Sequence, residues 1–451
     1  MDRDRFAAHI EANRQRYFDE LFTLLRQPSI AAQGIGIDET AAIVARRLEQ
    51  LGARVQVLRL PGAAPVVFGS IGGGARTLLI YDHYDVQPPE PLEGWLSPAF
   101  EPTMRDGKLY ARGVADNKGN LMLRLQAIES WLATEGELPI TINFLVEGEE
   151  EIGSVHLEQF CHQHADLLRA DGCLWETGGR NALEHPAINC GAKGICYVEL
   201  VVRGAAHDLH SSNATVVPNP AWRLTWALST LKTPDERILI PGFYDRVRPP
   251  SEADLRALES VPLDDEALLA DFGISDFLGG VRGIERLKTH LFSPTCTICG
   301  LVSGYSGEGS KTVLPSEARA KIDFRMVPDQ DPNEIVKSLR AHLDANGFSD
   351  IAIVELGHER AARSPTDALP TRAMAVAIRE VYAESPIIYP TMAGTGPMYP
   401  VCEALGTPVT SGCGTGYQGS LVHAPNENIR IADYWSAMRC MGAFIQSFAE
   451  A

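Results

Sequence analysis

The sequence has few basic residues for its length: 40 Lys and Arg stand against 58 Asp and Glu, for a net charge of −18. A surface that follows nucleic-acid phosphates carries positive potential, so nucleic acid is not expected as a partner. Long apolar runs are also missing. Charge or glycine interrupts each one within about 18 residues, and no membrane span is predicted.

The first residues, MDRDRFAAHIEANRQRYFDELF, lack the apolar core of a signal peptide. They instead place Phe6, Ile10, Tyr17, Leu21 and Leu24 at helical spacing. Cysteine is scarce and dispersed, with nine in the chain, which is typical of reduced thiols rather than of a disulfide framework. We therefore predict a cytoplasmic protein that begins with an amphipathic helix.

One cysteine pair and two glycine-rich runs indicate structural roles rather than cofactor binding. Cys296 and Cys299 form a CxxC without a second pair, so we predict buried strand thiols rather than a zinc ribbon or a redox motif. The Gly-rich runs AGTGP and GCGTGYQG lack the lysine of a phosphate-binding loop. No internal repeat or low-complexity tract is present.

The chain of 451 residues exceeds an ordinary single core, which predicts two domains or one domain with a large insertion. Helical and β-branched apolar segments alternate over the first 180 or so residues and predict an α/β sheet covered on both faces. From about Ile195 the pattern changes to α+β, with an acidic helical stretch near Ser251 to Leu278. We predict one domain formed by residues 1–194 and 363–451, interrupted by a second at 195–362.

Polar residues follow the predicted strands of the first domain. His83 and Asp85 end one apolar run, Glu150 and Glu151 follow another, and Glu176 closes a third. Ligands gather at the carboxyl ends of strands in such sheets. In a strand, residues two apart share a face, so Asp85 can orient the ring of His83.

Asp116 lies in the Gly-flanked turn ARGVADNKGN, where a short carboxylate could bridge two cations. The adjacent side chains of Glu150 and Glu151 diverge, so one can hold metal while the other works on a proton. With His423, the set of two histidines and three carboxylates suits a pair of zinc ions. These patterns leave open the alternative that the residues are ordinary surface side chains at strand ends and bind no metal.

Six separated motifs then make the sequence similar to a known family. They are LLIYDHYDVQPP, LYARGVADNKG, LVEGEEEIGS, GAKGICYVELVVRGAAHDLHSS, GYSGEGSKTVLPSEARAKIDFRMVPDQDP and HAPNENI. The chain resembles the co-catalytic zinc peptidases and amidases that include cytosolic nonspecific dipeptidase, carnosinase, acetylornithine deacetylase and succinyl-diaminopimelate desuccinylase. The dipeptidase branch is the most similar.

This resemblance implies a fold: an α/β catalytic domain with a mixed sheet flanked by helices, interrupted by an α+β lid domain that also forms a homodimer. It implies two zinc ions per subunit, and manganese or cobalt would fit similar ligands. His83 and Glu176 would bind the first ion, Glu151 and His423 the second, and Asp116 would bridge both.

The resemblance also implies catalytic and substrate-binding residues. Glu150 would be the general base and Asp85 would orient His83. His210 of the lid would help stabilise the oxyanion in the partner subunit's site. Arg325 would grip the substrate carboxylate, helped by the loop Ala393-Gly394-Thr395-Gly396-Pro397, in which Gly394 and Thr395 are the candidate contacts.

The sequence departs from the family pattern at several positions. Ser211-Ser212-Asn213-Ala214-Thr215 follows His210 where relatives carry glycines, which adds side chains near the expected entrance. Asp82 stands beside His83 where many relatives have Gly. Glu176 is common in the deacylase and carboxypeptidase branches, whereas the dipeptidase branch often has Asp there.

These motifs and the resemblance leave three possible functions. The first is a metal-dependent dipeptidase that cleaves small peptides with a free carboxyl end. The second is an N-acyl-amino-acid amidase or deacylase, which would share the metals, the base and the carboxylate clamp. The third is a non-catalytic metal-binding dimer, against which the retention of Glu150 argues.

Overall fold

The computed structural model describes residues 1–451, and its helices and strands form two main sheets in separate parts of the molecule. The helices are α1 (Arg3–Arg26), α2 (Ile37–Gln50), α3 (Lys118–Glu135), α4 (Leu157–Gln163), α5 (Ala165–Leu168), α6 (Pro220–Leu228), α7 (Glu252–Glu259), α8 (Asp265–Phe272), α9 (Gly283–Phe292), α10 (Pro332–Ala345), α11 (Leu369–Tyr382) and α12 (Ile431–Glu450). Every helix is too short or too polar to cross a membrane.

The strands are β1 (Arg54–Leu58), β2 (Val66–Gly72), β3 (Thr77–His83), β4 (Thr103–Arg105), β5 (Lys108–Tyr110), β6 (Thr141–Glu147), β7 (Gly172–Leu174), β8 (Gly179–Arg180), β9 (Pro186–Asn189), β10 (Gly191–Arg203), β11 (Leu209–His210), β12 (Thr297–Ser303), β13 (Val313–Leu314), β14 (Glu317–Met326), β15 (Ala352–Glu359), β16 (Ala362–Arg363), β17 (Ile387–Tyr389), β18 (Met392–Thr395), β19 (Val409–Thr410) and β20 (Asn428–Arg430).

The first sheet has the strand order β1-β2-β6-β3-β7-β19 and is mixed, as predicted. Its first two strand pairs are antiparallel, whereas β6, β3, β7 and β19 run parallel to one another. Helices α1, α2, α3, α11 and α12 pack over one face, and α4 with the segment 398–405 packs over the other. Burial on both faces explains why β3 and β6 are nearly continuous apolar runs.

The second sheet has the order β12-β14-β10-β15, and these four strands are antiparallel. β16 and β18 also pair with β10, and β18 does so in parallel. Its residues alternate, so that Cys196, Val198 and Leu200 face a core covered by α6 and α10. The other face, which includes Ile195 and Tyr197, is only half-buried. A sheet covered on one side is what the α+β pattern of this region predicts.

β10 runs across the predicted domain boundary at 194/195 without a break. Gly191 to Lys193 pair with β16 and β18, and the residues from Gly194 onwards pair with β14. The division into 1–194, 195–362 and 363–451 stays a prediction, and this strand would connect its two units covalently.

The second region confirms one expectation and corrects part of another. The acidic stretch Ser251–Leu278 forms two helices, α7 and α8, because Ser251 and Asp264 each cap a separate start. Cys296 is buried as predicted, but Cys299 is exposed. It lies on β12, whose position at the edge of the sheet leaves most of its side chains open to solvent.

Candidate active site

Three parallel strands of the first sheet end next to one another, and each delivers polar side chains to that edge. β3 ends at His83, β6 leads into the turn Glu150–Ile152, and β7 leads to Glu176. Because β6, β3 and β7 are parallel neighbours, their carboxyl ends meet. The strand-end residues that stood out in the sequence therefore lie together.

Asp116 and His423 reach this edge from loops, between β5 and α3 and between β19 and β20. His83 Nε2 lies 3.1 Å from Asp116 Oδ1 and 3.1 Å from Glu176 Oε2. His423 Nε2 lies 3.0 Å from Asp116 Oδ2 and 3.1 Å from Glu151 Oε2. Asp116 thus offers one oxygen to each histidine and joins two groups of candidate ligands.

This donor set fits divalent cations. Ligands about 2.0 Å from a tetrahedral zinc lie about 3.3 Å from one another, close to the 3.0 to 3.1 Å nitrogen–oxygen separations within each group. Atoms of Asp116, Glu151 and His423 all lie within 4.8 Å of one another. Glu151 Oε1 is buried without a hydrogen-bond partner, which leaves it open to a cation.

Negative charge is concentrated and buried at this edge. Burial, with the charge of Asp116, raises the pKa of Glu176 to about 8 although His83 opposes the shift. Burial and then the charge of Glu176 raise the pKa of Glu150 well above its ordinary value. Hydrogen bonds from His423 and His83 outweigh burial and hold the pKa of Asp116 far below its usual range. Bound cations would offset this repulsion.

Asp85 connects His83 to the turn that carries the two glutamates. His83 Nδ1 lies 3.1 Å from the Asp85 carbonyl oxygen and 3.4 Å from its Oδ1. The Asp85 carboxylate also accepts hydrogen bonds from the backbone N–H groups of Glu150 and Glu151, at 3.2 and 3.0 Å. A ring that donates from Nδ1 presents its Nε2 lone pair to a metal, so this contact suits the predicted orienting role.

Glu427 is a functional residue that the sequence reasoning missed. It is fully buried, and its Oε1 accepts hydrogen bonds from the N–H groups of Ala115 and Asp116 at 2.8 and 3.0 Å. Its Oε2 accepts from Arg112 Nη1 at 2.7 Å and from Gly113 N–H at 2.9 Å. Glu427 shapes the turn that presents Asp116, and its place in the motif HAPNENI was the only signal.

Arg124 was also missed, although a charged residue inside the apolar run NLMLRLQ of α3 could have pointed to it. Its buried guanidinium donates to the carbonyl oxygens of Trp175 and Glu176 at 2.6 and 2.7 Å. It also donates to Asp82 Oδ1 at 2.8 Å. The unusual Asp82 beside His83 is therefore paired with a cation, and the pair supports the ends of both β3 and β7.

Arg325 of β14 and Thr395 of β18 lie on two strands that both pair with β10, and their side chains meet. Arg325 Nη1 donates to Thr395 Oγ1 at 2.6 Å, and its Nε donates to Asp323 Oδ2 at 3.0 Å. The register pairs Lys193 of β10 with Thr395, which holds this loop against the second sheet. Gly394 makes no close approach, since a Cβ at this position would have no neighbour within 4 Å.

His210 lies on the short strand β11, which pairs with β13, and its hydrogen bonds go to Ser212 and Asn213 rather than to the candidate metal ligands. The ring is exposed, and its Nδ1 accepts a hydrogen bond from Ser212 N–H at 3.2 Å, with Ser212 Oγ at 2.8 Å. A ring that accepts at Nδ1 carries its proton on Nε2, from which it can donate. Ser212 thus orients the ring.

Comparison with known proteins identifies relatives over most of the chain. The model of "Peptidase family M20/M25/M40" matches residues 79–447. The chain is 30% identical over 339 residues to the Beta-Ala-His dipeptidase of Rattus norvegicus, covering 69% of this chain and 67% of that protein. It is 26% identical over 475 aligned residues to a Cys-Gly metallodipeptidase of Saccharomyces cerevisiae, covering 98% and 97%.

Among solved structures, an M20 family metallo-carboxypeptidase from Sulfolobus solfataricus matches with a TM-score of 0.90 and 39% sequence identity. The match covers 96% of this chain and 99% of that chain. A likeness of this extent includes both sheets and the connections between them.

Proposed function

The chain belongs to peptidase family M20/M25/M40, and from this premise we propose that it is a metal-dependent hydrolase of small peptides with a free carboxyl end. The observation that carries the proposal is the pair of ligand groups joined by Asp116. The relatives printed as dipeptidases and as a metallo-carboxypeptidase support the substrate class.

We propose two zinc ions, with manganese or cobalt as substitutes. One would be held by His83, Asp116 and Glu176, and the other by Asp116, Glu151 and His423. The three carboxylates carry −3 against the +4 of two divalent ions, so the site is nearly neutral when loaded. When bound, the metals would activate a water molecule and polarise the scissile carbonyl.

Glu150 would be the general base. It is half-buried in the turn beside the ligands, yet it is absent from both ligand groups, so its carboxylate is free to act on a proton. A carboxylate that is not a metal ligand can accept a proton from the attacking water and return it to the leaving amine. Asp85 would keep this turn in place through the hydrogen bonds to the backbone of Glu150 and Glu151.

Arg325 and Thr395 would bind the substrate carboxylate. The planar guanidinium of Arg325 presents a fork that matches a carboxylate, and the Thr395 hydroxyl beside it adds a donor. N-acyl amino acids carry the same carboxylate, so the deacylase alternative shares this contact. Glu176 and the carboxypeptidase neighbour favour peptides longer than two residues as a further substrate group.

Amine release from a panel of dipeptides, tripeptides and N-acyl amino acids tests these alternatives. The protein is treated with a chelator and then given zinc or manganese. We expect cleavage of free-amine peptides only after metal is returned. Cleavage confined to acylated substrates would make the protein a deacylase, and no cleavage of any substrate by the reloaded protein would contradict the hydrolase proposal.

We also propose a homodimer formed through the second sheet. The edge strand β12 exposes Ile298, Leu301 and Val302, the last two at 57% and 68%. An exposed apolar edge is a surface that a second copy can cover. On α6, Trp222 and Trp226 are also exposed and stack at 6.0 Å between ring centroids. Sedimentation analysis of the protein and of Leu301→Lys would test this.

The dimer would explain why His210 is remote from the metal ligands of its own chain. An exposed ring that is held as an Nε2–H donor could complete the partner subunit's site. Cytoplasmic location stays a proposal of ours as well. It is supported by the nine free cysteines, which suit a reducing compartment.

A further inference from the structure

A cavity of about 490 Å³ lies between the two sheets, beside the site described above. One wall is the segment Ile152–Val155, which directly follows Glu150 and Glu151. The opposite wall is the half-buried face of the second sheet, with Ile195, Tyr197 and Glu359. The proposed hydrolysis leaves this space without a role.

The strand register connects this cavity with Arg325, which together with Thr395 is the proposed clamp for the substrate carboxylate. On the neighbouring strands β14, β10 and β15, Arg325 pairs with Ile195, and Ile195 pairs with Glu359. Residues directly opposite one another in antiparallel strands share a face. Glu359 therefore lies on the face that carries Arg325, two strand spacings or about 9.6 Å away.

Glu359 also lies close to the turn Glu150–Ile152, which carries the proposed general base. A Cβ at Gly153 would come within 3.5 Å of Glu359 Oε1, with no other atom within 4 Å. Gly153 is three residues after Glu150. The Glu359 carboxylate is therefore placed between the proposed general base and the proposed clamp.

The Glu359 carboxylate has no cationic partner in the protein. Its Oε2 is buried without a hydrogen-bond partner. Burial raises its pKa, and the charge of Arg325 offsets only part of that shift. The neighbouring guanidinium of Arg360 is already paired, donating to the Tyr399 hydroxyl at 2.8 Å and to Asp331 Oδ2 at 2.7 Å.

A partly buried, unpaired carboxylate is unfavourable unless something compensates it. A second carboxylate, Glu158, lines the same cavity. Ile195 and Tyr197 provide apolar surface on which the methylene stem of a long cationic side chain can pack. Because Arg360 is already paired, the two carboxylates and the apolar surface favour a cationic side chain with an apolar stem.

We infer that this cavity binds the side chain of a carboxyl-terminal lysine or arginine of the peptide substrate, with Glu359 as its counter-ion. The inference rests on the proposed function: when Arg325 holds the α-carboxylate and Glu150 acts at the amide, the side chain of that same residue extends along the face between them. Glu359 is then a specificity-determining residue.

The test compares kcat/KM for Ala-Lys, Ala-norleucine and Ala-Ala, because norleucine keeps the stem of lysine and removes its charge. In the zinc-loaded wild-type protein we expect Ala-Lys to exceed Ala-norleucine by about tenfold, the scale of a charged hydrogen bond. Glu359→Gln should bring this ratio close to one and leave Ala-Ala within about twofold. Glu355→Gln, an exposed carboxylate on the same strand, is the matched control and should keep the wild-type ratio.

Glu359→Lys gives an independent readout, since it should reverse the preference and favour Ala-Glu over Ala-Lys. Cleavage of Ala-Ala with the same Lys-to-norleucine ratio in wild type and Glu359→Gln would overturn this inference and leave the proposed function intact. Failure of the wild-type protein to cleave any of the peptides would overturn the proposed function, and this inference with it. Unchanged zinc content and unfolding temperature in both variants show that the comparison is between folded, loaded proteins.

Discussion

The two sheets hold their functional residues in different ways. At the carboxyl edge of the first sheet, His83, Asp85 and Glu176 are buried, and each contacts other members of the site. On the second region, His210 is exposed and Arg325 is half-buried, with few partners. The first sheet thus holds a preformed centre, while the second presents contacts that a substrate or a partner subunit must complete.

The largest effect should come from the preformed centre. Glu150→Gln removes the proposed base and keeps the shape of the turn, so kcat should fall by about 10²-fold to 10⁴-fold. Metal content, measured by mass spectrometry, should not change. Glu151→Gln is the matched variant, and it should lose metal from the second group. If Glu150→Gln loses metal instead, Glu150 is the ligand and Glu151 is the base.

His210→Ala tests the second region, and the expected loss is about 10²-fold to 10³-fold in kcat, the scale of one oxyanion donor. Both metals should stay bound. Mixing this variant with Glu150→Gln should restore part of the activity, because one of the two sites in a mixed dimer keeps both an intact base and a partner's histidine. No recovery would show that His210 acts within its own subunit.

Glu427→Gln would show how strongly metal binding depends on the hydrogen bonds that Glu427 accepts around the Asp116 turn. The amide can no longer accept all four hydrogen bonds around the Asp116 turn. We expect metal affinity to weaken by about 10-fold to 100-fold, as found for residues that orient ligands. Titration with a competing chelator measures this, and saturating metal should restore kcat. If affinity is unchanged, the turn holds its shape without Glu427.

The smallest effect concerns the substrate clamp. Arg325→Ala should raise KM about tenfold or more for peptides with a free carboxylate, because a charged hydrogen bond is lost. Amidated peptides should be affected little. Thr395→Val removes only the hydroxyl and should give a smaller rise. An equal rise in KM for free and amidated peptides would contradict a clamp at Arg325.

Much of the fold was predictable because local patterns persist in the structure. The strands of the first sheet coincide with apolar, β-branched runs, and α1 begins close to where the helical spacing starts. The second region was less predictable. The exposed edge strand β12 lacks a buried face, so its sequence carries no clear alternation, and Cys299 on it was wrongly expected to be buried.

Within the site, the sequence identified the residues whose chemistry stands out locally. His83, Asp85, Glu150, Glu151 and Glu176 all follow strands, and this position is visible along the chain. The supporting residues Glu427 and Arg124 were not found, since their hydrogen bonds reach residues far away in sequence, such as Asp116 and Glu176. Glu359 has no distinguishing motif, and only its register opposite Ile195 sets it on the face of Arg325.

The sequence by itself determined the α/β class of the first domain and the candidate set of ligands, because these depend on residue type and on spacing along the chain. Its motifs determined the family, and the mixed sheet followed from that resemblance. Only the tertiary structure decided that one oxygen of Asp116 faces each histidine, that Glu427 shapes the Asp116 turn, and that Glu359 Oε2 is buried without a partner. Distances, burial and pairing arise when separate segments pack together, and no local pattern encodes them.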